Sequence, residues 1–388
     1  MTILSETTIT KNRLADRIND HLVNKIVAPF EIRLPDADNY RFGDGDPAFI
    51  ISVNDENGLL ALMRFDELRF SEAYINGHLD IEGAMWGVVS NRELLHDRHP
   101  LHLLWRRVAP FFTGQVRTNQ NAITDHYEFD SEFFLTFMDP TRCYSQAVFE
   151  RDDEPLEIAQ HRKLDFVIRS CNLKPGDRVL DVGCGWGAFV EHAGKQGIHV
   201  TALTLAHQSE HYLNDLIQRL QLPCEVTYGD FYQYESPQPY DAIVGLGVME
   251  HLPEYRAVLE RFQLLLKPGG KIYLDASSFR EKYSKPTFVS RYVFPGNHRY
   301  FCLHEFLSHV ADTNLELLTV HNDRHSYYLT CRDWALNLES AHKEIAKRWG
   351  EKLYRIFRLY LWGSSYAFYS RSLDAYRVVL ELPKVGGG

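Results

Sequence analysis

The sequence lacks the features of membrane-spanning, disulfide-stapled and zinc-binding proteins. No apolar run approaches the roughly 18 residues that a transmembrane helix needs. The six cysteines, from Cys143 to Cys331, include no CxxC pair, so we expect neither a disulfide scaffold nor a bound metal. Met1 to Arg13 is polar and contains no apolar secretory core. We therefore expect a cytoplasmic protein.

Basic side chains are in the minority. The chain has 42 Lys and Arg against 52 Asp and Glu, a net charge of −10. Such a surface repels phosphate backbones, so the sequence predicts no nucleic-acid partner. With 45% apolar and 24% charged residues the composition is that of a globular protein. The length of 388 residues suggests two or three compact units.

The first part of the chain reads as a small α+β domain. Arg13–Ile26 has helical spacing, and alternating runs at Phe30–Leu34 and Phe49–Val53 predict strands. We place this domain at residues 1–90, a linker at 91–125 and a larger domain at 126–388. The linker contains Trp105-Arg106-Arg107. Such a stretch is compatible with peripheral contact with anionic lipid headgroups, although a solvated connector is the more common role of such a segment.

The sequence of the larger domain predicts an α/β fold with a doubly wound, mostly parallel sheet. Strands alternate with helix-length segments. The predicted strands are Val179–Val182, Val200–Thr204, Ala242–Leu246 and Lys271–Leu274, and the predicted helices are Phe189–Gln196, Gln208–Arg219 and Tyr255–Leu266. Ligands of such sheets bind at the carboxyl ends of the strands, which directs attention to the first strand–helix turn.

That turn is Asp181-Val182-Gly183-Cys184-Gly185-Trp186-Gly187. Its GxGxG spacing is one residue tighter than the dinucleotide fingerprint, and the second strand ends at Thr204-Leu205 without the acid that would hold a ribose. The Lys-Ser/Thr of a phosphate-binding P-loop is also absent. A purely structural turn is the alternative interpretation.

The turn, together with motifs elsewhere, resembles the cyclopropane-fatty-acid synthase family of class I S-adenosylmethionine-dependent methyltransferases. The further segments that carry the resemblance are His126-Tyr127-Glu128-Phe129, Phe133-Phe134, Tyr144-Ser145, Leu203-Thr204-Leu205, Glu250-His251, the C-terminal stretch Phe357–Leu382 and, in the small domain, Glu72–Gly77. The resemblance implies a Rossmann-like methyltransferase domain, the cofactor S-adenosylmethionine and a role in lipid biosynthesis.

The resemblance also implies the residues that contact the cofactor. They are Tyr144, Ser145, Asp181, Gly183, Gly185, Gly187, Thr204, Leu205, Gln208, Asp230 and Phe231. The glycines would face the amino-acid portion, Thr204 and Leu205 the adenosine, while Asp230 and Phe231 would flank the adenine. The family usually has Gln where this chain has Ser209, so Gln208 is the nearest substitute. Capping of a helix is the alternative role for Asp230.

Four further residues fall at catalytic positions of the family, where a Cys, a Glu, a His and a Tyr hold a bicarbonate ion that removes a proton. Glu250 and Tyr327 match the Glu and the Tyr, whereas Gln146 falls at the Cys and Asp275 at the His. Two carboxylates would repel bicarbonate or raise one carboxyl pKa. Bicarbonate is therefore in question. The aromatic residues Tyr127, Phe129, Tyr327 and Tyr366 are candidates for stabilising cationic charge, with core packing as the alternative.

Three outcomes stay open. Asp275 serves as the base; no proton is removed and the product is a methyl branch; or the nucleophile needs no base. Capping of a loop is the alternative role for Asp275. The leading function is transfer of a one-carbon unit to an unsaturated acyl chain of a lipid. Methylation of a soluble, hydrophobic small molecule is the alternative, and a non-catalytic lipid-binding module the third. A homodimer is compatible with the sequence.

Overall fold

The fold is taken from a computed structural model, which describes residues 25–35, 39–96, 131–281, 286–294 and 299–384. The chain divides into two compact units. The first comprises Met1–Leu104, Pro286–Val293 and His342–Tyr366, and the second comprises the rest of the chain. The first unit thus includes two segments that are remote in sequence from residues 1–90.

The first unit is built on a four-stranded sheet with the order β2-β1-β3-β4. Its strands are β1 (Phe30–Arg33), β2 (Asn39–Phe42), β3 (Phe49–Val53) and β4 (Leu79–Gly83). Its helices are α1 (Glu56–Arg64), α2 (Glu67–Ile75), α3 (Met85–Ser90), α9 (Thr287–Tyr292), α12 (His342–Trp349) and most of α13 (Glu351–Tyr369). The predicted strands Phe30–Leu34 and Phe49–Val53 are confirmed. The predicted helix Arg13–Ile26 lies almost entirely outside the described residues.

Aspartates begin the first two of these helices. Asp55 accepts a hydrogen bond from the backbone N of Gly58 at 3.0 Å, and Asp66 accepts one from the backbone N of Arg69 at 2.8 Å. Each carboxylate satisfies a backbone donor that the first helical turn leaves without a partner, and it complements the positive end of the helix dipole.

The second unit is built on a seven-stranded sheet with the order β10-β11-β9-β8-β5-β6-β7. Its strands are β5 (Arg178–Val182), β6 (His199–Thr204), β7 (Glu225–Tyr228), β8 (Tyr240–Leu246), β9 (Leu266–Ser278), β10 (Glu316–Asn322) and β11 (Asp374–Glu381). Strands β5 to β9 pair in parallel, and β11 is antiparallel to both of its neighbours. The predicted mostly parallel sheet and its four predicted strands are confirmed.

Helices cover both faces of this sheet. They are α4 (Ser131–Leu135), α5 (Leu156–Ser170), α6 (Ala188–Gly194), α7 (His207–Leu220), α8 (Tyr255–Leu265), α10 (Leu303–Ala311) and α11 (Arg324–Ser340). One apolar cluster joins alternate strand residues to α8 and α10, and a second joins the intervening residues to α5, α6 and α7. Burial on both faces explains why the central strands read as continuous apolar runs.

None of the described helices combines the length with the apolar character that a bilayer crossing requires. The linker motif Trp105-Arg106-Arg107 and the motif His126-Tyr127-Glu128-Phe129 lie outside the described residues.

Candidate active site

A cleft opens at the carboxyl ends of β5, β6 and β8. Strand order reverses between β5 and β8, because the chain runs outward from β5 through β6 and β7 and then returns to add β8 on the other side. Such a switch point leaves a crevice between the diverging loops. The crevice with its mouth measures about 920 Å³. Of the predicted cofactor residues, seven line it: Tyr144, Ser145, Asp181, Gly183, Gly185, Thr204 and Leu205.

The glycine turn forms one wall of this cleft. Gly183 and Gly185 have φ of +71° and +51°, in the left-handed region that favours glycine. A Cβ at Gly183 would lie 2.7 Å from Cγ2 of Val248, another cleft residue. At Gly185 a Cβ would meet no atom within 4 Å and would point into open space. At these two positions, backbone atoms and not side chains therefore form the wall.

Two of the residues predicted beside this turn lie away from the cleft lining. Gly187 is the first residue before α6, and a Cβ there would lie 2.2 Å from Leu213, so this glycine serves the packing of α6 on α7. Gln208 is exposed. The neighbouring Ser209 is buried, lines the cleft and donates to the carbonyl of Gly185. The one-residue difference places Ser209, and not Gln208, at the wall.

Asp181 is a buried carboxylate at the floor of the cleft. It is 1% exposed, and its Oδ1 accepts no hydrogen bond from the described residues. Burial raises the pKa of Asp181 to about 7, Asp275 adds to the rise, and Lys163 opposes it. A buried acceptor in this state requires a donor to restore its hydrogen bonding.

Asp230 and Phe231 follow β7, beside the end of β6. The backbone N of Gly229 donates to the carbonyl of Thr204 at 2.9 Å. Asp230 accepts from the backbone N of Tyr232 at 2.8 Å, while its Oδ2 is buried and accepts no hydrogen bond from the described residues. Phe231 is 4% exposed, and its ring packs 5.3 Å from that of Phe262 in the core. Neither side chain is among the cleft residues.

Glu250 lies in a 3-10 turn, Met249–His251, directly after the β8 wall. Its neighbours Val248 and His251 line the cleft. One oxygen, Oε1, accepts from the backbone N and from Oγ of Ser277, both at 2.7 Å. The other, Oε2, is buried and accepts no hydrogen bond from the described residues. Burial raises the pKa of Glu250 to about 7, although the bonds from Ser277 oppose the rise.

Gln146 and Tyr327 are connected through Asp323. The fully buried Gln146 donates from Nε2 to Asp323 Oδ2 at 3.2 Å and to the carbonyl of Tyr376 at 3.4 Å. The backbone N of Tyr327 donates to the carbonyl of Asp323 at 2.8 Å. The ring of Tyr327 stacks on Phe368 with centroids 4.4 Å apart. Tyr127 and Phe129 lie outside the described residues, and Tyr366 belongs to the first unit.

Asp275 is fully buried in β9 and is not among the cleft residues. Its Oδ1 accepts from the backbone N of Gly247 at 2.8 Å, and its Oδ2 lies 3.7 Å from the ammonium of Lys163. The carboxylate is thus held beneath the wall instead of facing the cleft. This position favours a structural role over that of a base.

Sequence reasoning missed Lys163 and Arg142. Lys163 and Gln160 lie on the buried face of α5 among apolar residues, and polar residues at core spacing were the available signal. Arg142 lines the cleft with φ of +61° and donates from Nε to the carbonyl of Trp186 at 3.2 Å. A positive φ at a non-glycine residue cannot be read from one sequence.

Comparison with known proteins decides the family. A sequence model described as "Mycolic acid cyclopropane synthetase" matches residues 115–378, more than half of the chain. The chain belongs to the mycolic acid cyclopropane synthetase family. A second model, described as a domain of unknown function (DUF7884), matches residues 18–94. The match at residues 115–378 includes the glycine turn and all four predicted catalytic positions.

Two curated relatives carry similar names. A probable fatty acid methyltransferase of Mycobacterium tuberculosis is 28% identical over 71% of this chain and 66% of the relative. A probable fatty acid methyltransferase of Pseudomonas putida is 26% identical over 92% of this chain and 93% of the relative. This chain thus spans just under two thirds of the length of the first relative and nearly all of the second.

A solved structure shares the fold of about two thirds of the chain. Mycolic acid cyclopropane synthase CmaA1, complexed with SAH and CTAB, matches with a TM-score of 0.63 and 26% identity, over 68% of this chain and 98% of that chain. SAH is the product that S-adenosylmethionine leaves after methyl transfer. The synthetase-family chain is therefore an S-adenosylmethionine-dependent enzyme with the class I methyltransferase fold.

Proposed function

We propose that this protein transfers a one-carbon unit from S-adenosylmethionine to the double bond of an unsaturated acyl chain in a lipid. The observation that carries the proposal is the buried carboxylate of Glu250, whose Oε2 accepts no hydrogen bond from the described residues and which, although not itself a lining residue, lies in sequence between the cleft residues Val248 and His251. The relatives named as fatty acid methyltransferases support an acyl substrate. The division along the sequence into residues 1–90, 91–125 and 126–388 is a further proposal, in which the last part contributes Pro286–Val293 and His342–Tyr366 to the first compact unit. Peripheral membrane contact and a homodimer are also proposals.

The residues of the cleft, together with Asp230 in the loop after β7, fit the cofactor. Asp181 Oδ1 would accept from the amino-acid portion, and Asp230 Oδ2 from the exocyclic amine of the adenine, since both are buried acceptors that lack donors among the described residues. Gly183 and Gly185 would let the ligand approach the backbone closely. S-adenosylmethionine, when bound, supplies an electrophilic methyl group on a cationic sulfur.

Glu250 is suited to receive a proton. Attack of the double bond on the methyl group would break the methyl–sulfur bond and leave a carbocation on the chain. Ring closure then requires that the new methyl lose a proton to a base, while the electrons of that C–H bond form the second new carbon–carbon bond. The pKa of Glu250, raised to about 7 by burial, places this carboxylate near the value at which it exchanges protons at neutral pH. Its negative charge would also stabilise the carbocation.

Bicarbonate does not fit the residues at the family positions. The amide of Gln146 donates to Asp323 and to the carbonyl of Tyr376, which leaves Oε1, an acceptor, as its remaining group. Asp275 is turned toward Lys163 and Gly247. An anion would need donors where this chain offers acceptors, so we route no step through bicarbonate.

The test is an assay with purified protein, vesicles of a mono-unsaturated phosphatidylglycerol and S-adenosylmethionine that carries a trideuterated methyl group. Mass spectrometry of the fatty acids then separates the products. A cyclopropane retains two of the three deuterons and is not reduced when the fatty acids are hydrogenated over a mild catalyst. An unsaturated methyl branch formed by loss of a chain proton retains all three deuterons and is reduced. Methylation of soluble amines without any lipid product would contradict the proposal and support the alternative function.

A cofactor-blind variant supplies the control. Gly185→Val should abolish binding of SAH, measured by calorimetric titration, because a β-branched side chain both resists the positive φ and enters the open cleft. Gly176→Val is the matched variant, since Gly176 has φ of +90° with no atom near its Cβ position but does not line the cleft. Equal SAH affinity in wild type and Gly185→Val would refute the placement of the site.

A further inference from the structure

Beneath the cleft lies a buried ion pair to which the proposed chemistry assigns no part. The ammonium of Lys163, on α5, and the carboxylate of Asp275, on β9, are both fully buried and lie 3.7 Å apart. Lys163 also donates to Oγ of Ser145 at 2.7 Å and to Sγ of Cys143 at 2.9 Å. Ser145 and Cys143 line the cleft, so the ammonium supports one wall from behind.

The carboxylate supports a neighbouring part of the wall. The backbone N of Gly247 donates to Asp275 Oδ1 at 2.8 Å and to the carbonyl of Asp275 at 3.1 Å. Gly247 lines the cleft at the end of β8. A Cβ at Gly247 would lie 3.1 Å from Cβ of Ser145, so the two parts of the wall meet closely here. The pair thus bridges the segment 143–145 and the turn after β8.

A second side chain of α5 holds the same segment. Gln160 donates from Nε2 to the carbonyl of Ser145 at 2.9 Å and to that of Cys143 at 3.3 Å. Gln160 and Lys163 are fully buried and lie three residues apart, on one face of the helix. The helix therefore fixes both the backbone and the hydroxyl of Ser145.

Burial of a charged pair is an expensive way to fill a core. Replacement of such a pair by apolar side chains of similar size is often neutral or stabilising. Burial lowers the pKa of Lys163, but Cys143 and Asp275 outweigh it and raise that pKa overall. Burial also raises the pKa of Asp275, and the ammonium of Lys163 opposes that rise, so each group favours the charged form of the other. Packing alone does not explain why a charged pair occupies this buried position. The hydrogen bonds that orient Ser145 and Gly247 do explain it.

We propose that Lys163 and Asp275 are positioning residues that hold Ser145 and Gly247 at the spacing which S-adenosylmethionine requires, without touching the cofactor. The inference rests on the proposed function only for the location of the cofactor site. It assigns no proton transfer to Asp275.

Two uncharged double variants test this role. Lys163→Gln with Asp275→Asn removes both charges but keeps a donor toward Ser145 and an acceptor for Gly247. Lys163→Met with Asp275→Leu removes the charges and the hydrogen bonds. Because neither variant leaves a lone buried charge, both are expected to fold. Calorimetric titration with SAH and thermal unfolding are measured for each.

We expect the Met/Leu variant to raise the Kd for SAH at least about tenfold, and the Gln/Asn variant to stay within about threefold of wild type. With saturating cofactor, kcat should change little while KM for the cofactor rises. Glu154→Gln is the control, because it breaks a different ion pair of α5, between the buried Glu154 and the partly exposed Arg162 at 2.7 Å, and should lower the unfolding temperature without weakening SAH binding.

Equal affinity in the two double variants, or affinity that simply follows the unfolding temperature through all variants, would overturn the proposal. SAH titration involves no acyl substrate. A wild-type protein that binds SAH but modifies no lipid would therefore refute the proposed function while this inference still stood to be tested.

Discussion

The environments of individual carboxylates separate the chemistry of the site from the support of the fold. Glu154 receives two hydrogen bonds from the guanidinium of Arg162, and this fork is the main reason that its pKa falls to about 2. Glu250 is hydrogen-bonded only at Oε1 among the described residues, by neutral donors of Ser277, and burial raises its pKa to about 7. The first carboxylate is locked in its charged form, whereas the second can change charge near neutral pH.

Glu250→Gln should lower kcat by about 10²- to 10⁴-fold, since the amide cannot accept the proton that ring closure releases. In the wild type, kcat should rise with pH and level off above about 7 as Glu250 ionises. The variant should lose this rise. Initial rates at saturating cofactor between pH 5.5 and 8.5 measure both effects.

SAH affinity should change less than about threefold in Glu250→Gln, because the proposed cofactor contacts lie elsewhere. Glu254→Gln is the companion variant, for Glu254 is exposed at the start of α8 and should keep the wild-type profile. An unaltered pH profile in Glu250→Gln would remove this residue from proton transfer.

Among the elements, α13 shows how a late segment completes the first unit. Its Arg355 donates to the carbonyl of Tyr74 at 2.7 Å and to that of Leu79 at 3.1 Å, and it pairs with Asp80. These groups end α2 and begin β4. One side chain therefore satisfies backbone acceptors on two elements about 280 positions earlier in the chain.

Arg355→Met should destabilise the protein by about 1–3 kcal/mol, because the carbonyls of Tyr74 and Leu79 lose a charged donor. Urea unfolding, followed by circular dichroism, measures the change. Arg256→Met removes only an exposed pair with Glu260 and should cost less than about 1 kcal/mol. Equal losses in the two variants would show that the Arg355 contacts contribute no more than a surface ion pair.

The strands of the second unit were predictable because each is short, apolar and followed by turn residues. Val179–Val182 falls within β5, and Lys271–Leu274 within the longer β9. The membership of α12 and α13 in the first unit was not predictable, since long-range contacts such as that of Arg355 leave no local pattern. For the same reason the sequence alone could not trace the division into compact units.

The site was predictable where a motif fixes the backbone. Gly183 and Gly185 line the cleft because the turn itself forms the wall. Counting along the chain fails where side chains alternate between wall and core, as at Gln208, which is exposed beside the buried Ser209. Asp275 shows the same limit, because its partner Lys163 lies 112 positions away and the pairing depends on the fold.

At the scale of the whole molecule, a buried carboxylate of the cleft, Asp181, lowers the free energy of unfolding at neutral and higher pH. Burial raises the pKa of Asp181 from 3.8 to about 7. Between these values the folded state binds a proton that the unfolded state lacks, so this group lowers stability as pH rises, with the full penalty present above about 7. Removing such a carboxylate should stabilise the fold at the expense of cofactor binding.

Asp181→Asn should therefore unfold at a higher temperature than wild type at pH 8, with the difference shrinking toward pH 4, when both are measured without cofactor.

Asp241→Asn is the control of opposite sign. Burial raises the pKa of Asp241, but hydrogen bonds from the backbone of Arg178 and from Lys267 lower it overall. Asp241 thus stabilises the fold above its unfolded pKa and loses this effect as pH falls. Asp241→Asn should unfold at a lower temperature than wild type at pH 8. If Asp181→Asn also unfolded at a lower temperature than wild type at pH 8, the carboxylate of Asp181 would stabilise the folded protein. Its buried Oδ1 would then need a hydrogen-bond donor, which it lacks among the described residues.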